Sequence, residues 1–349
     1  MTNLLRHRLF WPLAILAVLL LGNLVFTPGF FSVQLRDGHL YGSLIDILRL
    51  SAPLVLVALG MTVVIATGGI DLSVGAVVAI AGALACLRIS EQDNQQSVAV
   101  VLAAVGLALL GSLLLGLWNG FLVAAVGIQP IIATLILMVA GRGIAQLITD
   151  GQIITINSDP YRLIGAGYWL TFPFSVLIAV AVTAIAVTLT RRTALGLLIE
   201  AVGGNPRASR LAGIRSRRLI VSAYVFCGLC AGVAGLMISS NVSSADGNNA
   251  GLLIELDAIL AVVIGGTALS GGRFSIAGTV LGAVIIKTLD TTIYTIGITP
   301  ETTLLFKAVV VIVLCLAQSP AFRNRVFARR RHPEPPAPTA PAAKLEVPA

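Results

Sequence analysis

The chain has 349 residues, of which 57% are hydrophobic and 11% charged, and a formal net charge of +8. Soluble domains carry about 25% charged residues, so this composition excludes a water-soluble globular fold and makes lipid the solvent for most of the molecule. The basic balance does not point to a nucleic-acid partner, because the arginines gather in short segments with no aromatic-interleaved basic face.

Apolar runs fall at about 9–26, 50–67, 72–87, 98–126, 128–148, 170–190, 219–240, 256–270, 276–298 and 303–318. A bilayer-spanning helix needs roughly 20 mostly apolar residues, so the expected fold is an all-α polytopic bundle of about ten transmembrane helices. Arg6 and Arg8 precede the first run. Arg191, Arg192, Arg207, Arg210, Arg215, Arg217 and Arg218 fill one central loop, and Arg323, Arg325, Arg329, Arg330 and Arg331 follow the last run. The positive-inside rule makes all three clusters cytoplasmic, and an even span count then puts both termini on that side of a bacterial inner membrane. The segment around Arg36, Asp37 and His39, the stretch Arg88 to Gln96, residues 149–169, residues 241–255 and the turn at Pro300 and Glu301 are expected outside. The first run reads as a retained helix, since no small-residue cleavage site follows it. Residues 1–320 are thus one transmembrane domain. Residues 321–349, basic and then rich in Pro and Ala, read as a disordered tail.

The first segment with chemistry is Gly68-Gly69-Ile70-Asp71-Leu72-Ser73-Val74-Gly75, echoed by Gly265-Gly266-Thr267-Ala268-Leu269-Ser270-Gly271-Gly272. Both have the form G-G-x-x-L-S-x-G. Paired, Gly-interrupted apolar segments point to an internal repeat with discontinuous helices at a substrate route, with Gly68, Gly69, Gly75, Gly265 and Gly266 as helix-break glycines. Composition bias in a chain rich in Gly, Ala and Val is the competing reading, and the orientation of such a repeat is left open. A carboxylate here costs about 2.5–3.5 kcal/mol on insertion scales unless water or a partner meets it. Asp71 therefore either lines a polar route together with Ser73 and Ser270, or caps the following helix from its N-terminal end.

Asn119, Gln129 and Thr134 follow, the last two flanking Pro130, and Arg142 lies between Gly141 and Gly143. Neutral amides and hydroxyls suit a polyol better than an ion. Arg142 is a further candidate for the route, or else reaches the headgroups. Cys227 and Cys230 form a C-x-x-C within an apolar run, without a second ligand pair, and read as packing rather than as a metal or redox motif.

The loop 191–218 contains two short helical pieces, Leu195–Val202 and Pro206–Leu211, split by Gly203-Gly204-Asn205. Asn205 is expected as the cap and Pro206 as the first helical residue. Such a basic helix is either a docking surface or a lipid-held surface helix.

The elements G-G-I-D-L-S-V-G, N-G with I-x-P and T-L, and E-A-x-G-x-N-x-x-A-x-x-x-x-G-I resemble the permeases of the ribose, arabinose, xylose and autoinducer-2 class of ATP-binding-cassette importers. The resemblance covers about residues 45–318. Within that class Leu40–Leu48, Ile128–Asn157 and Asn248–Phe274 are most similar to galactofuranose permeases. It implies a monosaccharide importer with two permease chains, identical or different, two copies of a cassette ATPase domain and a periplasmic sugar-binding protein. It also implies that Glu200–Ile214 is the coupling loop, carrying Glu200, Gly203, Asn205, Arg207, Ala208 and Gly213. Ser209 and Pro206 depart from the usual pattern, which bears on the detailed contacts.

An ion-coupled secondary transporter of a small polar solute is the alternative. It would need titratable groups within the membrane besides Asp71, and Arg142, Asp257 and Lys287 read as lying near span ends. A membrane enzyme is third: the spans carry no carboxylate pair or metal spacing, and the chain has no P-loop. No bound cofactor or metal is expected, and ATP would be hydrolysed by a partner.

Overall fold

In the computed structural model, the described residues are 10–26, 29–36 and 38–297, with single positions at 302, 305, 308, 309 and 312. The helices are α1 (Phe10–Phe26), α2 (Ser43–Ala66), α3 (Val74–Ser90), α4 (Val98–Phe121), α5 (Pro130–Ile148), α6 (Asp159–Arg162), α7 (Phe174–Arg192), α8 (Leu195–Gly204), α9 (Pro206–Leu211), α10 (Ser216–Val242), α11 (Ile254–Ile264) and α12 (Ile276–Ile296). Three short antiparallel pairs join them: β1 (Gln34–Arg36) with β2 (His39–Tyr41), β3 (Ile153–Thr155) with β6 (Ser244–Asp246), and β4 (Tyr168–Trp169) with β5 (Phe172–Pro173). The expected tenth span, the turn at Pro300 and Glu301, Asp37, the two terminal arginine clusters and the tail lie outside the described residues, apart from those single positions.

Among the described residues, six helices are long and apolar enough to cross a membrane: α2, α4 with its π-helical extension Leu122–Val126, α5, α7, α10 and α12. Helices α1 and α3 have 17 residues each and α11 only 11. At 1.5 Å per residue α11 rises about 16 Å, roughly half the hydrocarbon thickness. The expected span at 256–270 is therefore a half-helix, ended at Gly265.

α2 is the interior helix, buried along nearly its whole second half from Leu54 to Ala66. α10 crosses it on glycine: a Cβ at Gly60 would sit 2.7 Å from the Cys227 Cα, and one at Gly228 would sit 2.6 Å from the Ser112 carbonyl of α4. Without a hydrophobic force between helices in lipid, close backbone approach over small residues is what holds such a bundle together. Cys227 and Cys230 are buried in this contact, as packing residues. Helices α4, α5 and α7 keep broad apolar faces exposed, as lipid contact requires.

The loops sort into two ends. At one, β1–β2 and β4–β5 lean together through the His39–Tyr168 stack at 4.7 Å, and Gln96 binds the Asn157 carbonyl at 3.0 Å. The segments expected outside meet at this end, as far as they are described. At the other end lie α8, α9 and the arginine-rich loop.

Both G-G elements end their helices in a Schellman turn. Gly68 N–H binds the Ile65 carbonyl and Gly69 N–H the Val64 carbonyl; Gly266 N–H binds Val263 and Thr267 N–H Val262. The left-handed residue this turn needs is Gly68 (φ +86°) in one and Gly266 (φ +83°) in the other. The likeness is thus one residue out of register with the sequence echo, a local helix-stop signal used twice.

Candidate transport site

The chain between α2 and α3 turns inward around Asp71. Its carboxylate accepts from the Ser73 N–H at 3.0 Å and the Ser73 hydroxyl at 2.6 Å, and the Asn119 amide donates to Ser73 Oγ at 2.8 Å and to Asp71 at 3.4 Å. Asp71, Ser73 and Asn119 are all about 99% buried. Thr134 of α5 and Tyr224 of α10 both donate to the Ile70 carbonyl, at 3.3 and 3.5 Å. The apolar segment thus tolerates a carboxylate because donors close around it; Asp71 accepts from Ser73, the residue before α3, and from Asn119, not from an N–H of the helix itself. The Asn119 Oδ1 is buried without a hydrogen-bond partner among the described residues.

The second element packs directly beneath the first. Gly272 N–H donates to the Ala66 carbonyl at 2.9 Å, and a Cβ at Gly271 would lie 3.0 Å from the Gly68 Cα. Gly203 of α8 enters the same contact: a Cβ there would collide with the Ala66 carbonyl oxygen and sit 2.6 Å from the Gly272 nitrogen. Arg191, at the end of α7, donates to the Phe274 carbonyl at 3.2 Å with its guanidinium 5.8 Å from the Phe274 ring centre. The arginine-rich loop is therefore joined, backbone to backbone, to both helix breaks.

Beyond that joint the loop is open. Asn205 accepts from the Arg207 and Ala208 N–H groups at 3.1 and 3.0 Å, with Pro206 at the first helical position, as the sequence indicates. Arg207 and Ala208 are exposed, Ser209 is buried, and Leu211 is 92% exposed. Glu200 is half-buried on α8, and Gly213 closes the loop at φ +83°.

The remaining expected residues fall elsewhere. Gln129 is exposed at the start of α5, and Ser270 is exposed near the arginine-rich end, away from the buried Asp71 group. Arg142 lies farther along α5, where it donates to the Ala250 carbonyl at 2.6 Å and to the Gly247 carbonyl at 3.4 Å. It thereby ties α5 to the segment 243–253, which folds back from the hairpin end to the start of α11. Gln146 binds Asn248 at 2.9 Å on the same segment. The Asn249 side-chain amide, at 2.8 Å, holds the Asp246 carboxyl below the usual range, with the Asn248 and Asn249 N–H groups adding to it.

Residues 43–315 match the family described as branched-chain amino acid transport system / permease component. The chain belongs to that family. The permease is 50% identical over 323 residues to the galactofuranose transporter permease of Escherichia coli K12, covering 91% of this chain and 93% of that one. It is 41% identical over 328 residues to the fructose import permease of Bifidobacterium longum, covering 92% and 90%. Against the ribose import permease of Escherichia coli K12 the identity is 36% over 312 residues, covering 88% and 92%. No solved structure matches it. The permease is a transport component with apolar membrane-crossing helices, not an enzyme in its own right. Among its described residues no group of three or more His, Cys, Asp or Glu is placed to hold a metal ion.

The depth of two charged residues of the permease escaped the sequence reading. Glu255 is 97% buried at the start of α11, where its carboxylate faces Gly75 so closely that no side chain fits there. Lys287 lies in the middle of α12, not near a span end, and pairs with Asp290 at 2.9 Å. The i,i+3 spacing of a lysine and an aspartate within an apolar run was the available signal for that pair.

Proposed function

We propose that the chain is the translocating subunit of an importer for galactofuranose or a closely related monosaccharide. Relatives named for galactofuranose, fructose and ribose import support this, each matched over about nine-tenths of both chains. In this reading a cassette ATPase seats on α8 and α9, a periplasmic sugar-binding protein delivers solute at the hairpin end, and a second permease chain completes the pore. Both termini are cytoplasmic, and the permease itself binds no cofactor. The observation that carries the mechanism is the Gly203 contact. A helix displaced by the ATPase cannot move without moving Ala66 and Gly272, the ends of the two interrupted segments. Asp71, Ser73, Asn119 and Thr134 then serve as the hydrogen-bonded hinge of that movement, and Arg142, Gln129 and Ser270 border the solute's route.

Co-purification of the partner ATPase on the permease tests the docking surface. Arg207→Glu and Ala208→Trp should each reduce ATPase recovery at equal permease abundance, because anchors at the centre of an interface carry most of its binding energy. Unchanged recovery with both variants would make α9 a lipid-held surface helix instead.

A further inference from the structure

Two furrows run along the outer side of α10. The first, open and about 500 Å³ in volume, lies between α10 and the π-helical turn Leu122–Val126 that extends α4. Ala124 and Ala125 wall it on one side, and the row Arg217, Val221, Val225 and Leu229 of α10 on the other. The i, i+4 spacing keeps that row on one helix face, which rises about 18 Å from Arg217 to Leu229. One leaflet's share of the hydrocarbon core is about 15 Å. A second furrow of about 190 Å³, between α10, α7 and α8, shares Ser222 and Phe226 with the first. The helices cannot close in to fill this space, since α4 already touches α10 on glycine. A Cβ at Gly116 would lie 2.6 Å from the Tyr224 carbonyl oxygen, and one at Gly120 would lie 2.9 Å from the Val221 Cα.

The arginine-rich end of the first furrow is positively charged and unpaired. Residues 191–218 carry seven arginines and one carboxylate, Glu200, so neighbours cannot neutralise them. Arg191 is held by Phe274. Arg217 and Arg218 both line the furrow and are exposed, and their guanidinium groups make no hydrogen bond or ion pair among the described residues. A long basic side chain lays its methylene stem along an apolar wall and keeps its charge at headgroup level, where the guanidinium fork matches phosphate oxygens.

This pairing of a charged mouth with an apolar body selects the occupant. A water-soluble partner can pair the arginines but cannot fill a furrow that descends a leaflet's depth. A second identical chain in an isologous contact would bring its own Arg217 and Arg218 to the same level, where like charges repel. A molecule with a negative head and apolar tails meets both requirements, and basic pockets between membrane helices are suited to such headgroups. We propose that this face of α10 holds an anionic phospholipid, its phosphate on Arg217 and Arg218 and its two acyl chains in the furrows on either side of Phe226. Leu195 and Ile199 of α8 line the second furrow, so the lipid also touches the helix that carries Gly203. The inference rests on the membrane-spanning fold and is independent of which solute is carried.

The test uses the full-length permease, delipidated in a neutral detergent and titrated with dioleoyl phosphatidylglycerol or dioleoyl phosphatidylcholine, with bound lipid counted by native mass spectrometry. An arginine near an anionic surface is worth about fivefold in binding, so phosphatidylglycerol should be held roughly 25-fold more tightly than phosphatidylcholine. Arg217→Gln with Arg218→Gln should abolish the preference, and Arg217→Lys with Arg218→Lys should keep most of it. Arg207→Gln with Arg210→Gln, which removes the same charge from α9, should leave it unchanged. Ala125→Trp adds bulk at an exposed wall of the furrow and should weaken binding of both lipids with the arginines intact. Equal loss of preference in the two glutamine pairs would mean diffuse attraction to the whole loop and overturn the site. Unchanged binding to Ala125→Trp would overturn the furrow as the seat of the chains. Dissociation of a permease dimer by Ala125→Trp would make this face an interface between copies and overturn the lipid.

Discussion

Gly203→Ala is the sharpest perturbation of the coupling contact. The added methyl group would overlap the Ala66 carbonyl oxygen and lie 2.6 Å from the Gly272 nitrogen and 3.0 Å from the Ala66 carbonyl carbon. All three atoms are backbone, so no side chain can rotate away. Relief requires α8 to move off α2, or the Gly272 N–H to leave the Ala66 carbonyl, a bond of 2.9 Å. Overpacking costs about 1–3 kcal/mol. A buried hydrogen bond left open costs about 1–3 kcal/mol more. The seated loop should therefore be disfavoured by roughly 2–6 kcal/mol, enough to shift a balanced two-state equilibrium by more than tenfold. Gly204→Ala is the control, since a Cβ there meets nothing within 4 Å. Sugar uptake and sugar-stimulated ATP hydrolysis are measured side by side in proteoliposomes, together with ATPase co-purification. Gly203→Ala should keep the ATPase, because α9 is untouched, and lose uptake. Normal uptake with Gly203→Ala, at equal abundance, would refute transmission through this contact.

Asp71→Ala leaves the Ser73 N–H and hydroxyl without their acceptor and should lower stability by about 2–4 kcal/mol, read as a shift in thermal aggregation in detergent, while Asp71→Asn, which keeps an acceptor, shifts it less. Equal stability of wild type and Asp71→Ala, with uptake lost, would return Asp71 to the solute's route. Gly265→Ala would place a methyl 2.6 Å from the Gly278 carbonyl oxygen and the Thr279 nitrogen, splaying α11 from α12 at a cost of about 1–3 kcal/mol; unchanged melting of that variant would contradict the close crossing. The permease purified alone should show only background ATP hydrolysis, since it carries no phosphate-cradling glycine loop followed by Lys and Ser or Thr.

The polytopic helical membrane class was legible because high hydropathy follows directly from lipid as solvent. The Asn205 cap and the Pro206 start were legible because capping is a local interaction. Helix α11 was read too long, since Ala268 and Leu269 continue the apolar count past Gly265 although the chain has already turned. The Asp71, Ser73 and Asn119 residues could be named from sequence, but their mutual contacts depend on how α4 crosses the break after α2. Ser270, a hydroxyl in an echoed phrase, was grouped with Asp71 on pattern alone; the one-residue offset between the two Schellman turns shows why equal phrases need not place equal residues. Glu255 was passed over, and Lys287 was read as lying near a span end, because burial depth is a tertiary property and a charged residue in an apolar run looks the same at a span's end as at its centre.

The central claim, that this chain carries a monosaccharide under power from a partner ATPase, is tested by uptake into proteoliposomes holding the permease, its ATPase and its binding protein. Labelled galactofuranose, ribose and fructose are supplied outside, with ATP or a non-hydrolysable analogue inside. The account predicts accumulation of at least one of these sugars with ATP and none with the analogue. Equal uptake under both conditions, or uptake driven by an imposed ion gradient alone, would contradict it.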